Sequence, residues 1–366
     1  GVDGDACNEG IVVCDGGGGT MCSDATASTT ELCNGVDDDC RNGIDDSFPL
    51  GQGCTVGLGQ CARSGMLMCN GAQTGTQCSV TAGAAVAETC GNVVDEDCNG
   101  IDPSCPTNDR AAGAIDISSG GNFTVDLVAA HDDNWAASSP ALDCGDQGGR
   151  DVFYQFTLPA EEVVYFDTFG STFDSVVRVF DGACTAIGAT RACGDDACAQ
   201  TRSQGAVDLA AGTYCLVVDQ FDGNVTSGTT TLAFRRGGRA GTVLPSTSGS
   251  VSGTTTGKTN LSTASCEANT TPPDLAYAFL SCPSITYTVG ANTCTGSSFD
   301  TVLSMRTGSA LSSDIVCNDD FSGCGTFNSK FTGKAVTGAS LQWFIVDGYT
   351  LGTGGHGSFT LTYTIQ

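Results

Sequence analysis

From about residue 107 onward the chain consists of short runs in which apolar and polar residues alternate, each closed by Gly, Asn or Ser. A period of two sends successive side chains to opposite faces of a strand, so these runs predict half-buried β-strands. No helical pattern lasts longer than a turn or two. The runs also repeat. Asp151-Val-Phe-Tyr-Gln-Phe-Thr matches Asp274-Leu-Ala-Tyr-Ala-Phe-Leu, and Phe173-Asp174-Ser-Val-Val matches Phe299-Asp300-Thr-Val-Leu. Tyr214-Cys-Leu-Val-Val-Asp219 matches Trp343-Phe-Ile-Val-Asp347. Two copies of one strand-rich pattern predict tandem β-sandwiches. The Ser/Thr/Gly-rich stretch after residue 237 reads at first as a linker. The repeat instead aligns 246–255 with 117–126 as paired first strands and confines the linker to about 235–242.

The first hundred residues follow another rhythm, set by cysteine. Cys7, Cys14, Cys22, Cys33 and Cys40 are echoed by Cys61, Cys69, Cys78, Cys90 and Cys98, with Cys54 leading into the second copy. Each copy closes on an acidic loop. The second reads Cys90-Gly-Asn-Val-Val-Asp95-Glu-Asp97-Cys98-Asn99-Gly100-Ile-Asp102, with oxygen ligands at alternate positions before a glycine turn. Calcium takes six to eight hard oxygens, and a glycine at the bend lets one short loop wrap the ion. Asp95, Asp97, Asn99 and Asp102 are therefore candidate Ca2+ ligands, as are Asp37, Asp39, Asn42 and Asp45 in the upstream copy. That copy carries one extra residue before its glycine. No long helices flank either loop, so disulfides are expected to supply the rigidity. The expected organisation is an all-β chain: acidic-loop repeats at 1–53 and 54–106, then jelly-roll-like sandwiches at 107–238 and 239–366.

Composition fixes the compartment. Twenty-two cysteines in 366 residues, an even total without Cys-x-x-Cys pairs, predict a disulfide framework in an oxidising, extracellular setting rather than zinc sites. A formal charge of −27 with 14 Lys and Arg excludes nucleic acid as a partner. No run of 18 apolar residues predicts a membrane span. The chain opens on Gly1 without a leader, so any signal peptide is expected to have been removed.

Two resemblances follow from these residues. The lead-in Gly51-Gln-Gly-Cys54-Thr-Val-Gly-Leu-Gly-Gln-Cys61 and the Glu-x-Cys-Asn-Gly-x-Asp-Asp-Asp-Cys core from Glu31 to Cys40 resemble the MopE-related metal-binding repeats of bacteria, over about 1–105. The resemblance implies a secreted, calcium-binding, non-catalytic stalk module. The Phe-Asp-[Ser/Thr]-Val and Asp-Asp segments, recurring in order across 111–234 and 243–366, resemble the bacterial pre-peptidase C-terminal domain. That likeness implies a non-catalytic accessory or adhesive module.

Further acids could converge on a cation: Asp174, Asp195 and Asp196 in the first sandwich, and Asp300, Asp319 and Asp320 in the second. Turn capping through backbone N–H groups is the competing role. Catalysis has little to work with. His131 and His356 fall in different sandwiches, and no nucleophile elbow, P-loop or dinucleotide fingerprint is present. An enzyme is not expected. The run His131-Asp132-Asp133-Asn134-Trp135 reads as a surface loop. Cysteine counting gives twelve in 1–105 and five in each sandwich. Repeat logic pairs Cys193 with Cys198, Cys317 with Cys324, Cys184 with Cys215 and Cys282 with Cys294. Cys144 and Cys266 then remain to bridge the sandwiches or reach another molecule.

The expected function is a secreted, calcium-binding, disulfide-stabilised structural or adhesive protein. Its expected partners are copies of itself, assembled head to tail into an extracellular filament, or a cell-surface component. The incomplete first repeat and the final strand running to Gln366 motivate the head-to-tail expectation. The alternative is a non-catalytic glycan- or surface-binding module of a secreted hydrolase.

Overall fold

A computed structural model describes residues 12–22, 29–39, 43–86, 88–127, 130–133, 142, 144, 148–221, 228–266, 272–325, 327–349 and 355–366. The chain is all-β and divides into two compact units, 1–103 and 104–366.

The first unit pairs β1 (Val12–Cys14) with β2 (Thr20–Cys22), and separately forms a three-stranded meander. The meander comprises β3 (Gly53–Val56), β4 (Arg63–Cys69) and β5 (Thr76–Cys78). Among its described residues the buried apolar ones are Cys33, Cys61 and Cys90, while Met66, Met68, Val93 and Ile101 face solvent. So small an apolar core cannot hold a fold by itself, and cross-links take its place. Cys33–Cys69 ties the first acidic turn to β4, Cys54–Cys78 closes the meander, and Cys61–Cys98 anchors the second acidic turn. Cys14 carries a free, exposed thiol.

The second unit holds two sandwiches of identical strand order. The first contains β6 (Ile115–Asp116), β7 (Gly121–Asp126), β8 (Asp151–Leu158), β9 (Glu162–Asp167) and β10 (Ser175–Asp181). It continues with β11 (Thr190–Gly194), β12 (Gln204–Leu209), β13 (Gly212–Gln220) and β14 (Thr229–Arg236). Its sheets run β11-β10-β13-β8-β6 and β12-β9-β14-β7. The second contains β15 (Thr242–Val243), β16 (Gly249–Thr254), β17 (Leu275–Ser281), β18 (Thr286–Asn292) and β19 (Thr301–Thr307). β20 (Val316–Asn318), β21 (Lys330–Thr337), β22 (Ser340–Gly348) and β23 (Ser358–Ile365) complete it. Its sheets run β20-β19-β22-β17-β15 and β21-β18-β23-β16, the same arrangement strand for strand.

The central strands depart from the half-buried expectation. In β8, Val152, Tyr154, Phe156 and Leu158 fill the inner core, and Phe153 is buried on the outer face with Phe180, Cys215 and Val217. In the second sandwich Tyr277 and Phe279 face inward, while Ala276, Ala278, Trp343 and Ile345 face out and meet Val163 and Tyr165 of β9. Ala278 sits directly opposite Trp343 across β17 and β22, and its small side chain leaves room for the indole. Gly237 and Gly241, in the link between sandwiches, are required by the same ring. A Cβ at either would lie 2.6 and 2.8 Å from Trp343 carbons.

The disulfides correct the sequence-based pairing. Cys184–Cys215 forms as expected. Cys144 pairs with Cys193, Cys266 with Cys317, and Cys294 with Cys324. The bridge between sandwiches is Cys198–Cys282 rather than Cys144–Cys266. The short loop from 193 to 198 does not close on itself, because Cys193 lies in β11 and Cys198 beyond its end.

Candidate metal centres

Each acidic turn of the first unit is built on a buried glutamate. Glu31 Oε2 accepts the N–H groups of Asp38 (3.1 Å) and Asp39 (2.9 Å), and Oε1 accepts that of Asp45 (3.0 Å). Glu88 Oε2 accepts the Asp97 N–H at 3.0 Å. An asparagine braces each turn: Asn34 Nδ2 donates to Asp38 and Asn92 Nδ2 to Glu96. The Asn92 amide is the main influence holding Glu96 below the usual carboxylate range. The Asp97 N–H pulls Glu88 down, but burial and the neighbouring Glu96 and Asp97 outweigh it and leave this carboxyl raised.

The result is a carboxylate triad in each repeat. Oxygens of Glu31, Asp37 and Asp39 lie within 4.8 Å of one another, as do those of Glu88, Asp95 and Asp97. Asp95 Oδ2 accepts the Gly100 N–H at 2.9 Å, while its Oδ1 is buried and makes no hydrogen bond within the protein. Asp102 and Asp45 take a different part. Asp102 accepts N–H bonds from Gly91 (2.9 Å) and Val93 (2.6 Å), and Asp45 Oδ1 accepts those of Asn34 (2.9 Å) and Gly35 (3.2 Å). Both carboxylates thus cap the turn after the first cysteine of their loop. Asn99 Nδ2 donates to Asp97 and its Oδ1 accepts the Ile101 N–H, so it braces the bend. Asn42 lies outside the described residues. Glu31 and Glu88 were not among the sequence-based candidates, yet each completes a triad. Their signal was present in the Glu-x-Cys that opens both loops.

In the sandwiches the candidate acids sit at one hairpin end. Oxygens of Asp174, Asp195 and Asp196 lie within 4.8 Å of one another. Burial raises Asp195 above the ordinary range, with Asp196 and Asp174 adding to it. Val177 pairs with Gly194 in the first sandwich and Leu303 with Asn318 in the second. Asp300 and Asp319 therefore stand at the register positions of Asp174 and Asp195, and Asp320 follows as Asp196 does. Beside each hairpin lies a buried knot of hydroxyls that sequence reading did not find. Thr168 Oγ1 meets Ser175 Oγ at 2.6 Å and accepts the Ser203 N–H at 2.9 Å. Thr293, Thr301 and Ser329 repeat the arrangement, at 2.6 and 3.1 Å. His131 Nδ1 lies 2.8 Å from the buried Asp109 Oδ2, and Asn134 and Trp135 lie outside the described residues.

No protein-family model and no curated protein matches the sequence. Among solved structures the chain is similar to the pre-peptidase C-terminal domain of a collagenase from Bacillus anthracis. The identity is 7% and the TM-score 0.23, over 34% of this chain and 94% of that one. It is also similar to the CUB1-EGF-CUB2 domains of rat MASP-1 (11% identity, TM-score 0.17, 69% and 99% coverage). A third is the extracellular domain of ANXUR2 from Arabidopsis thaliana (10%, 0.18, 67% and 89%). Among the described residues no helix is long and apolar enough to cross a membrane.

Proposed function

We propose that this chain is a secreted, non-catalytic, calcium-binding structural or adhesive protein that assembles outside the cell with copies of itself or with a surface component. The carrying observation is the pair of Glu-Asp-Asp triads, equivalent in the two repeats, whose carboxylate oxygens gather within 4.8 Å of one another on turns organised by backbone N–H bonds to the glutamate. Hard oxygens in a small cluster suit calcium, and its waters complete the shell. The disulfide-rich all-β architecture is that of an extracellular structural or binding module. Assembly is supported by the sheet edges at β7, β12, β16 and β21, since an edge strand is a template for another chain. Apolar residues exposed at equivalent places in both acidic turns, Ile44 and Ile101 among them, support it too.

Calcium titration of the full chain by calorimetry, with negative-stain microscopy before and after chelation, tests both halves. Saturable binding with a dissociation constant on the order of 10⁻⁴–10⁻³ M is expected, as in extracellular calcium modules. It should weaken at least about tenfold in Glu31→Gln with Glu88→Gln. Absence of binding at millimolar calcium overturns the metal reading. Single particles in both conditions overturn the assembly reading and leave the glycan- or surface-binding alternative.

A further inference from the structure

The junction of the two sandwiches forms a half-open cavity of about 300 Å³ whose walls come from both. Glu161 and Asp208 supply one side, Lys258, Leu261 and Leu275 the other, and Arg239 of the connecting segment lies between them. Arg239 is 6% exposed. Its Nη2 pairs with Asp274 Oδ1 at 2.6 Å, and its Nε and Nη1 are buried and make no hydrogen bond within the protein. A buried guanidinium with unused donors is uncommon, because buried N–H groups are nearly always matched to an acceptor. Asp274 is committed elsewhere, accepting from the Ser262 N–H (2.9 Å) and hydroxyl (2.7 Å), so it cannot turn to serve them.

The opposite wall offers the complementary chemistry. Asp208 accepts a hydrogen bond from the Gly241 N–H and lies within hydrogen-bonding reach of Glu161. Burial first, and Glu161 second, push Asp208 up to about 6. An anion suited to Arg239 would meet these two carboxyls, and a cation suited to them would meet Arg239 and Lys258. A neutral molecule bearing several hydroxyls suffers neither repulsion. Each hydroxyl can accept from the guanidinium and donate to a carboxylate. Leu261 and Leu275 give such a molecule an apolar wall, and the volume sits at the small end for ligand sites.

We propose that this inter-sandwich cavity binds a neutral, polyhydroxylated ligand of about monosaccharide size, with Arg239 donating to its oxygens and Glu161 and Asp208 accepting from its hydroxyls. The site is independent of the carboxylate triads and needs no calcium. Saturation-transfer NMR on the full chain in chelator, with glucose, galactose, mannose and N-acetylglucosamine in turn, tests it. Binding of at least one sugar is expected with a dissociation constant on the order of 1 mM. Glu161→Ala with Asp208→Ala should weaken it at least about tenfold while costing the fold no more than the hydrogen bond from the Gly241 N–H to Asp208, since both side chains reach the surface. Arg239→Lys, which keeps the charge beside Asp274 but loses the planar fork, should abolish it; the alanine pair decides the matter if that variant fails to fold. No binding of any of the four at about 50 mM, or binding unchanged in the alanine pair, overturns the proposal. Preference for glucuronate over glucose also overturns it and makes the cavity an anion site.

Discussion

Replacing Trp343 with alanine should cost more stability than any other single truncation at the junction of the sandwiches. The indole is fully buried beside Val163 and Tyr165, and its Nε1 donates to the Gly308 carbonyl at 3.0 Å. Burying a tryptophan removes roughly 200 Å² from water, about 5 kcal/mol at 25 cal/mol per Å². Measured truncations of buried aromatics cost about 3–5 kcal/mol. The stranded Gly308 carbonyl adds about 1–3 kcal/mol unless water reaches it. A loss of about 4–8 kcal/mol is therefore expected in urea unfolding followed by circular dichroism. Because Val163 touches the indole from the other sandwich, Val163→Ala should not add independently. A double-mutant cycle should give a coupling of about 0.5–2 kcal/mol. A loss under about 2 kcal/mol, or strict additivity, would refute the claim that this contact fuses the sandwiches.

Two further expectations concern the same unit. Cys198–Cys282 closes a loop of 84 residues, for which chain entropy alone predicts about 4.5 kcal/mol of stabilisation. Replacing both cysteines with serine should lower unfolding stability by a few kcal/mol and split one unfolding transition into two; a single transition losing under about 1 kcal/mol would contradict this. Burial pushes Asp151 up to about 8 and Asp347 up to about 7, from an ordinary value of 3.8. The folded state therefore holds these protons more tightly than the unfolded one. Their contribution is complete below about pH 4 and is lost as pH rises through 7 and 8. Stability in chelator should fall across that window by on the order of 1 kcal/mol per pH unit per acid, and Asp151→Asn should flatten the slope. Stability that rises from pH 5 to 8 in the unsubstituted chain would overturn the assignment.

The strands and their duplication were legible because half of each strand's pattern is set by burial, and period two survives even where the other face is covered later. What covered that face was not legible. Trp343 reads as an ordinary core residue, since nothing local distinguishes a side chain facing its own sandwich from one facing the neighbour. The disulfides show the same boundary. Five cysteines per sandwich is an odd number, so if all of them pair, one must leave each sandwich. Which cysteine leaves depends on strand ends brought together in space: Cys198 follows β11, and Cys282 follows β17. In the acidic loops, alternate spacing picked out Asp37, Asp39, Asp95 and Asp97, which the fold gathers with Glu31 and Glu88. It picked out Asp45 and Asp102 equally, and these accept N–H bonds from the turn after the first cysteine, a placement the spacing does not distinguish.

The two copies, alike in strand order and hydroxyl knot, have diverged where they meet. The first sandwich covers the outer face of its five-stranded sheet with its own Phe153, Phe180 and Cys184–Cys215 cluster. The second has Ala276, Ala278 and Trp343 on the corresponding face, and the first sandwich serves as its cover. Separated, the second would present a tryptophan and a strip of small apolar residues to water, the kind of patch that drives association. Charge divides in the same way. Asp219 is paired within the first sandwich with Arg178, at 3.0 Å. The second draws its counter-charge for Asp274 from Arg239, which belongs to neither sheet. The pair is therefore the folding unit. The indole contact, the Cys198–Cys282 bridge and the backbone bonds of the connecting segment to Val163 tie together the two walls of the cavity around Arg239, which is the preorganisation a small weak ligand requires.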